Sequence, residues 1–239
     1  MATELLICKD ERELFEKAAQ EFIAIIAKAI SEKGRAAVAL SGGSTPRGLY
    51  ELLASPNYRD QLDWKNVYFF WGDERCVPPN HASSNYRMAY ETLLAPLAVP
   101  AENIYRIQGE QEDVAKAAAD YEERLKSFFG HQPRFDLVLL GIGEDGHTAS
   151  LFPDTAALEE QERSVAANHV EKLSAWRLTL TLPAINAAHN IVFIVTGAAK
   201  RAILHKVLFG KREYPSQLVK PTAGRLLWIV DRAAIGGED

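Results

Sequence analysis

The segment Gly141-Ile142-Gly143-Glu144-Asp145-Gly146-His147 carries an imidazole at the end of a loop with three glycines, directly after the apolar stretch Phe135 to Leu140. A histidine in a loop at a strand end, off any helical apolar face, suits chemistry better than core packing. Neutral imidazole is well matched near pH 7 to taking a proton from water, so His147 reads as a general base. Asp145, two residues earlier, either orients that ring or satisfies loop N–H groups; the sequence leaves both roles open. Asp73 and Glu74 follow another apolar run, Val67 to Trp71. They read equally as a base or binders of hydroxyl groups, and as a turn with a surface salt bridge to Arg75. Neither Ser41 nor Ser44 sits in a Gly-x-Ser-x-Gly elbow, which disfavours a serine nucleophile.

A second constellation suits an anion. Ser41-Gly42-Gly43-Ser44-Thr45-Pro46 joins an apolar run to a helical pattern, and Pro46 fits that helix's first turn, where an N–H has no partner to lose. Adjacent Gly42 and Gly43 permit close backbone approach, Ser44 and Thr45 add hydroxyls, and the helix start favours negative charge. A tight turn with Ser or Thr capping the helix explains the same residues. The loop lacks the Gly-Lys-Ser/Thr ending of a nucleotide P-loop. Lys200 falls in the first turn of another helix, where the macrodipole disfavours a cation unless an anion joins it. Arg75 and Arg177, one at a strand end and one at a strand start, are further cations that can converge on the same point. The histidines at 81, 131, 169, 189 and 205 show no metal-ligand spacing, and Cys8 and Cys76 form no metal pair, so chemistry without metal or cofactor is expected. Cys76 reads as a buried, inert thiol.

These loops must be held by regular elements. Asp10 with Glu13 resembles a capping box; Leu14, Phe15, Ala18, Phe22, Ile25, Ile26, Ala29 and Ile30 recur at helical spacing, and Gly34 closes the helix. Ala36 to Leu40, Val67 to Trp71, Phe135 to Leu140, Arg177 to Leu182, Ile191 to Val195 and Leu226 to Val230 read as strands. Helices are expected after Pro46, from Ser84 to about Leu94, from Val114 to Phe128, and from Thr196-Gly197 through Leu208 with Gly210 as C-cap. Continuous apolar strands alternating with helices predict an α/β fold, a mostly parallel sheet flanked by helices. Ligands then collect beyond the carboxyl ends of the strands, where the segments 41–46, 72–75, 141–147 and 196–200 all lie.

Composition narrows the function classes. The 239 residues are 47% hydrophobic and 25% charged, with a formal charge of −5, a poor match for a nucleic-acid binder. Two cysteines give no disulfide framework and suggest a reduced, cytoplasmic setting. No apolar run reaches the ~18 residues that suggest a membrane span, and Met1-Ala2-Thr3-Glu4-Leu5 lacks the pattern of a secretory signal. No repeat or linker-like tract divides the chain, so one domain over residues 1–239 is expected.

The ordered set of motifs resembles the 6-phosphogluconolactonase family, in the superfamily that also contains glucosamine-6-phosphate deaminase. The likeness runs through Ser41-Gly42-Gly43-Ser44-Thr45-Pro46, Trp71-Gly72-Asp73-Glu74-Arg75, Ser84-Asn85-Tyr86 and Gly141 through Pro153. It ends in Arg177-Leu178-Thr179-Leu180-Thr181, Pro183-Ala184-Ile185-Asn186 and Thr196-Gly197-Ala198-Ala199-Lys200. The resemblance implies a modified Rossmann-like sheet of the glucosamine-6-phosphate deaminase, ribose-5-phosphate isomerase and CoA-transferase type. It implies hydrolysis of 6-phospho-D-glucono-1,5-lactone with His147 as general base and Arg75, Arg177 and Lys200 at the substrate, chiefly its phosphate; on the reading of the residues themselves, Asp145 and Asp73 are expected at the catalytic centre and Gly42, Gly43, Ser44 and Thr45 at the substrate. The expected partner is a small sugar-phosphate lactone, with no nucleic acid or membrane, and a monomer or weak homo-oligomer is expected. The deaminases follow the Asp-Gly-His core with a glutamate where this chain has Phe152, and a tyrosine follows their Asp-Glu where Arg75-Cys76 stands here. His189 departs from the Arg or Lys frequent in the lactonases. A deaminase-isomerase and a non-catalytic sugar-phosphate sensor are the competing readings.

Overall fold

The computed structural model describes residues 3–130 and 132–236; Met1, Ala2, His131, Gly237, Glu238 and Asp239 lie outside them. Its strands are β1 (Thr3–Cys8), β2 (Ala36–Leu40), β3 (Val67–Trp71), β4 (Asp73–Arg75), β5 (Leu137–Leu140), β6 (Val165–Val170), β7 (Ala175–Leu180), β8 (Asn190–Val195) and β9 (Arg225–Asp231). Its α-helices are α1 (Glu11–Lys33), α2 (Ser44–Leu53), α3 (Asn85–Ala89), α4 (Val114–Phe129), α5 (Leu182–Asn186), α6 (Arg201–Phe209) and α7 (Arg232–Ile235).

Six strands form one parallel sheet in the order β1-β9-β8-β5-β2-β3. Every residue of β2 and β5 is buried, as continuous apolar strands covered on both faces require. Helix α1 has the expected ends. The Asp10 side chain accepts from the Glu13 N–H at 2.9 Å, and Gly34, left-handed at φ 75°, donates its N–H to the Ile30 carbonyl. Glu13 departs from a strict capping box by accepting from the Lys9 N–H, one residue before the cap. Leu14, Ala18, Phe22, Ile26 and Ala29 form its buried stripe.

The chain passes from β2 to β3 on one side and returns on the other side of β2 as β5. The loops after β2 and β5 therefore diverge at a topological switch point, where open α/β sheets hold their ligands. A second, antiparallel sheet, β4-β7-β6, begins beside this crevice. Gly72 is the junction: its N–H donates to Leu40 of the large sheet, and its carbonyl accepts from Leu180 of the small one.

Several sequence expectations need correction. Residues 73–75 are a strand rather than a loop, because Asp73, Glu74 and Arg75 pair with Thr179, Leu178 and Arg177. The strand expected over Arg177 to Leu182 spans Ala175–Leu180, and Leu182 instead opens α5 ahead of Pro183. Strands β1 and β6 were not anticipated: β1 is an edge strand with only Cys8 fully buried, and β6 mixes small and polar residues. Helix α3 ends at Ala89 and a π-helical turn, Tyr90–Leu94, completes the expected span. Gly210 does follow α6, but in an extended conformation rather than a left-handed cap. No helix among the described residues is long and apolar enough to cross a membrane.

Candidate active site

A cavity of about 690 Å³ opens at the carboxyl edge of β2, β5 and β8. It is lined by all the residues singled out by sequence: Gly42, Gly43, Ser44 and Thr45; Asp73 and Arg75; Asp145 and His147; Arg177 and Lys200. Segments more than 150 residues apart are thus brought to one crevice by the parallel order of the strands.

The turn after β5 shapes the imidazole's position. The Gly143 N–H donates to the His147 carbonyl at 2.8 Å, and the Thr148 hydroxyl donates to the Gly141 carbonyl at 2.9 Å. A Cβ on Gly143 would stand 2.0 Å from the His147 ring, so only glycine admits the imidazole there. Asp145 Oδ1 lies 2.5 Å from His147 Nδ1 and 3.2 Å from the His147 N–H. Asp145 thus contacts both the ring and a loop N–H group. A carboxylate only accepts, so Nδ1 carries the proton in the neutral ring and Nε2 keeps a free lone pair. The ring stacks on Phe152 at 3.9 Å between centroids. Burial pushes the imidazole down to about 4, against the opposing pull of Asp73; Lys200, Arg177 and Arg75 push it the same way as burial. At neutral pH the ring is uncharged and able to accept a proton.

The cations are arranged for an external partner. Arg75 and Arg177 face each other directly across β4 and β7, a like-charge pair that disfavours the strand pairing on its own. Arg75 donates to the Ser83 carbonyl at 2.5 Å and Arg177 to the Trp176 carbonyl at 3.0 Å, and among the described residues neither these two nor Lys200 forms an ion pair with a carboxylate. Lys200 ends the 3-10 turn Ala198–Lys200 and caps α6, which begins at Arg201, one residue beyond the first-turn position the helix pattern gave it. Helix α2 begins at Gly43 with no side-chain cap, so Ser44 and Thr45 do not serve as caps for it. Ser44 and Thr45 line the cavity, their N–H groups have no hydrogen-bond partner among the described residues, and the Thr45 hydroxyl lies 2.9 Å from that of Thr196.

Asp73 and Glu74 separate into different roles. Asp73 faces the cavity, accepting from the Ser150 hydroxyl at 2.6 Å and the Asn85 amide at 3.2 Å. Glu74 is buried and makes no salt bridge with Arg75, contrary to one sequence alternative. It accepts instead from the N–H groups of Arg75, Asn85 and Tyr86 and from the Ser84 hydroxyl, with burial raising its carboxyl despite those bonds. Its work is to tie the start of α3 to β4. Cys76 is half-buried and free, its thiol raised by burial.

Sequence reasoning gave no role to Asn85, Phe152 or Lys172, all of which line the cavity. Asn85 sits so close to the glycine loop that a Cβ on Gly42 would lie 1.8 Å from its Oδ1. Only its place in Ser84-Asn85-Tyr86 hinted at it. Lys172, in the turn Glu171–Leu173 between β6 and β7, pairs with Asp145, and nothing local in the sequence marks it.

A parallel α/β sheet with a half-buried Asp–His pair and, among the described residues, cations without a carboxylate partner in one switch-point crevice defines a class of protein: an enzyme scaffold for a small anionic substrate. The family described as glucosamine-6-phosphate isomerases/6-phosphogluconolactonase matches residues 9–228, and this chain belongs to it. A 6-phosphogluconolactonase of Synechocystis is 40% identical over 241 residues, covering 98% of each chain. One from Haemophilus influenzae is 39% identical over 83% of this chain and 85% of its own. The structure of 6-phosphogluconolactonase from Trypanosoma cruzi superposes with a TM-score of 0.88 at 31% identity, covering 98% of this chain and 96% of that one. A monomeric glucosamine-6-phosphate deaminase shares the fold, with a TM-score of 0.80 at 21% identity over 97% of this chain and 98% of its own.

Proposed function

We propose that this chain hydrolyses 6-phospho-D-glucono-1,5-lactone to 6-phospho-D-gluconate, the lactonase step of the oxidative pentose phosphate pathway. The observation that carries the reading is that one cavity holds both a neutral imidazole with a free Nε2 and a set of unpaired cations. The phosphate anchors on Arg75, Arg177, Lys200 and the N–H groups of Gly43, Ser44 and Thr45, which relieves the repulsion between the two arginines. With the phosphate fixed, binding energy is available to orient the lactone carbonyl toward His147.

His147 Nε2 takes a proton from water as the water oxygen bonds to C1. Asp145 holds the ring and stabilises the imidazolium through Nδ1–H. The tetrahedral centre collapses by breaking the bond from C1 to the ring oxygen, which takes the proton back from Nε2. General-base assistance of this kind contributes roughly 10²–10⁴-fold. Asp73 steadies Ser150 and Asn85 at the cavity wall, and its negative charge favours the imidazolium as it forms.

The deaminase reading is disfavoured by Phe152, whose apolar ring covers one face of the imidazole. The test is acid release from fresh lactone in a pH-stat, above the spontaneous rate, beside ammonia release from glucosamine 6-phosphate. Lactone turnover without ammonia supports the proposal; ammonia release, or ligand binding without turnover, overturns it.

A further inference from the structure

Four side chains, the imidazole among them, form a closed circuit. His147 Nδ1 bonds Asp145 Oδ1, and Asp145 Oδ2 pairs with the Lys172 ammonium. That ammonium also lies 4.7 Å from the centre of the Phe152 ring, and Phe152 stacks on His147 with only 24° between the planes. Three members come from the chain following β5. Lys172 alone comes from the small sheet, on a turn closed by the Ser174 N–H donating to the Glu171 carbonyl at 2.9 Å.

We propose that Lys172 is a positioning residue for the hydrolysis, acting through Asp145 and Phe152 to hold the His147 ring in one orientation. The proposal rests on the reading of His147 as the base. The Lys172 side chain is half exposed, and a pair of that kind contributes little to stability. Its geometric effect is larger. Asp145 finds no second cation among the described residues, so without Lys172 one carboxylate oxygen loses its partner and the carboxylate is free to rotate off Nδ1. The ammonium over the Phe152 ring attracts it electrostatically and steadies the ring that stacks on the imidazole.

The charged groups facing His147 are Asp145 and Glu144 from its own loop, Asp73 and Arg75 from β4, Arg177 from β7, Lys200 from the start of α6, and Lys172. Removing Lys172 subtracts one positive charge from this group, which makes imidazolium easier to form. Loss of Lys172 therefore has two signatures: slower chemistry and an acid limb displaced to higher pH.

The experiment compares Lys172→Met and Lys172→Arg with the parent chain, measuring kcat, KM and the pH profile of lactone hydrolysis. Lys172→Met is expected to lower kcat about ten-fold with KM changed less than about two-fold, and to move the acid limb of kcat/KM upward. Lys172→Arg, which keeps both the charge and the stacking, is expected to recover most of the turnover. In a His147→Ala background, Lys172→Met should cost nothing further. A raised KM with unchanged kcat would make Lys172 a substrate ligand instead and overturn the proposal, as would parent-like kinetics or an equal loss without His147. Near-parental turnover by His147→Ala alone would instead remove the base on which the proposal stands.

Discussion

Replacing Arg177 with Met should make the empty protein more stable and the ligand weaker. Arg75 and Arg177 sit opposite each other on β4 and β7, and among the described residues neither forms an ion pair with a carboxylate. Two charges about 6 Å apart repel by about 3 kcal/mol at an effective dielectric of 20. Both side chains are partly solvated, and screening brings the cost down to about 1 kcal/mol or less. Met keeps the apolar stem, and the lost bond to the Trp176 carbonyl is exposed and subtracts little. The unliganded melting temperature should therefore hold or rise, by up to about 2–4 °C for a chain of this size. The same change removes a charge-assisted bond to the phosphate, about 1.5–3 kcal/mol, or roughly 10–150-fold in affinity. Thermal denaturation with and without saturating 6-phosphogluconate reads both effects, since a ligand that binds only the folded chain raises the midpoint in proportion to its affinity. A fall in the unliganded midpoint together with an undiminished ligand-induced rise would refute the idea that these arginines are held apart for an anion.

Other perturbations follow from the same geometry. Gly42→Ala would drive a Cβ into Asn85, displacing the amide from Asp73, and should cost about 1–3 kcal/mol of stability together with most of the activity, read by denaturant unfolding and initial rates. Because burial holds the His147 imidazole down to about 4, its neutral form persists well into acid. The enzyme contribution to kcat/KM should stay level from neutral pH to below 6 and fall only as the ring protonates; a loss of activity centred at or above pH 6.5 would contradict that burial. Lys200→Ala should raise KM and the dissociation constant for 6-phosphogluconate about 10-fold or more with kcat little changed; unchanged affinity, measured by titration calorimetry, would take Lys200 out of the phosphate site.

Much of this was legible in the sequence because parallel strands advertise themselves. The buried runs Ala36–Leu40 and Ile191–Val195 are continuous and apolar, and each is followed by a loop whose glycines or charges are out of place in a core. Reading those loops as neighbours needed only the strands to be parallel. The small sheet was less visible: Asp73–Arg75 is three charged residues long, and its strand character comes from pairing with β7, a partner about a hundred residues away. For the same reason the sequence could not choose between a functional and a surface role for Glu74, since the four donors that hold it belong to β4 and the start of α3. Lys172 and Phe152 became readable only once the turn after β6 was placed against the loop after β5, because a salt bridge across two sheets has no sequence period.

The central claim is that His147 acts on water while other groups hold the phosphate, and one variant separates the two. For His147→Ala, steady-state lactone hydrolysis should show kcat reduced about 10²–10⁴-fold, while calorimetric affinity for 6-phosphogluconate stays near that of the parent. Turnover close to the parent's, or lost affinity with kcat preserved, would contradict the account.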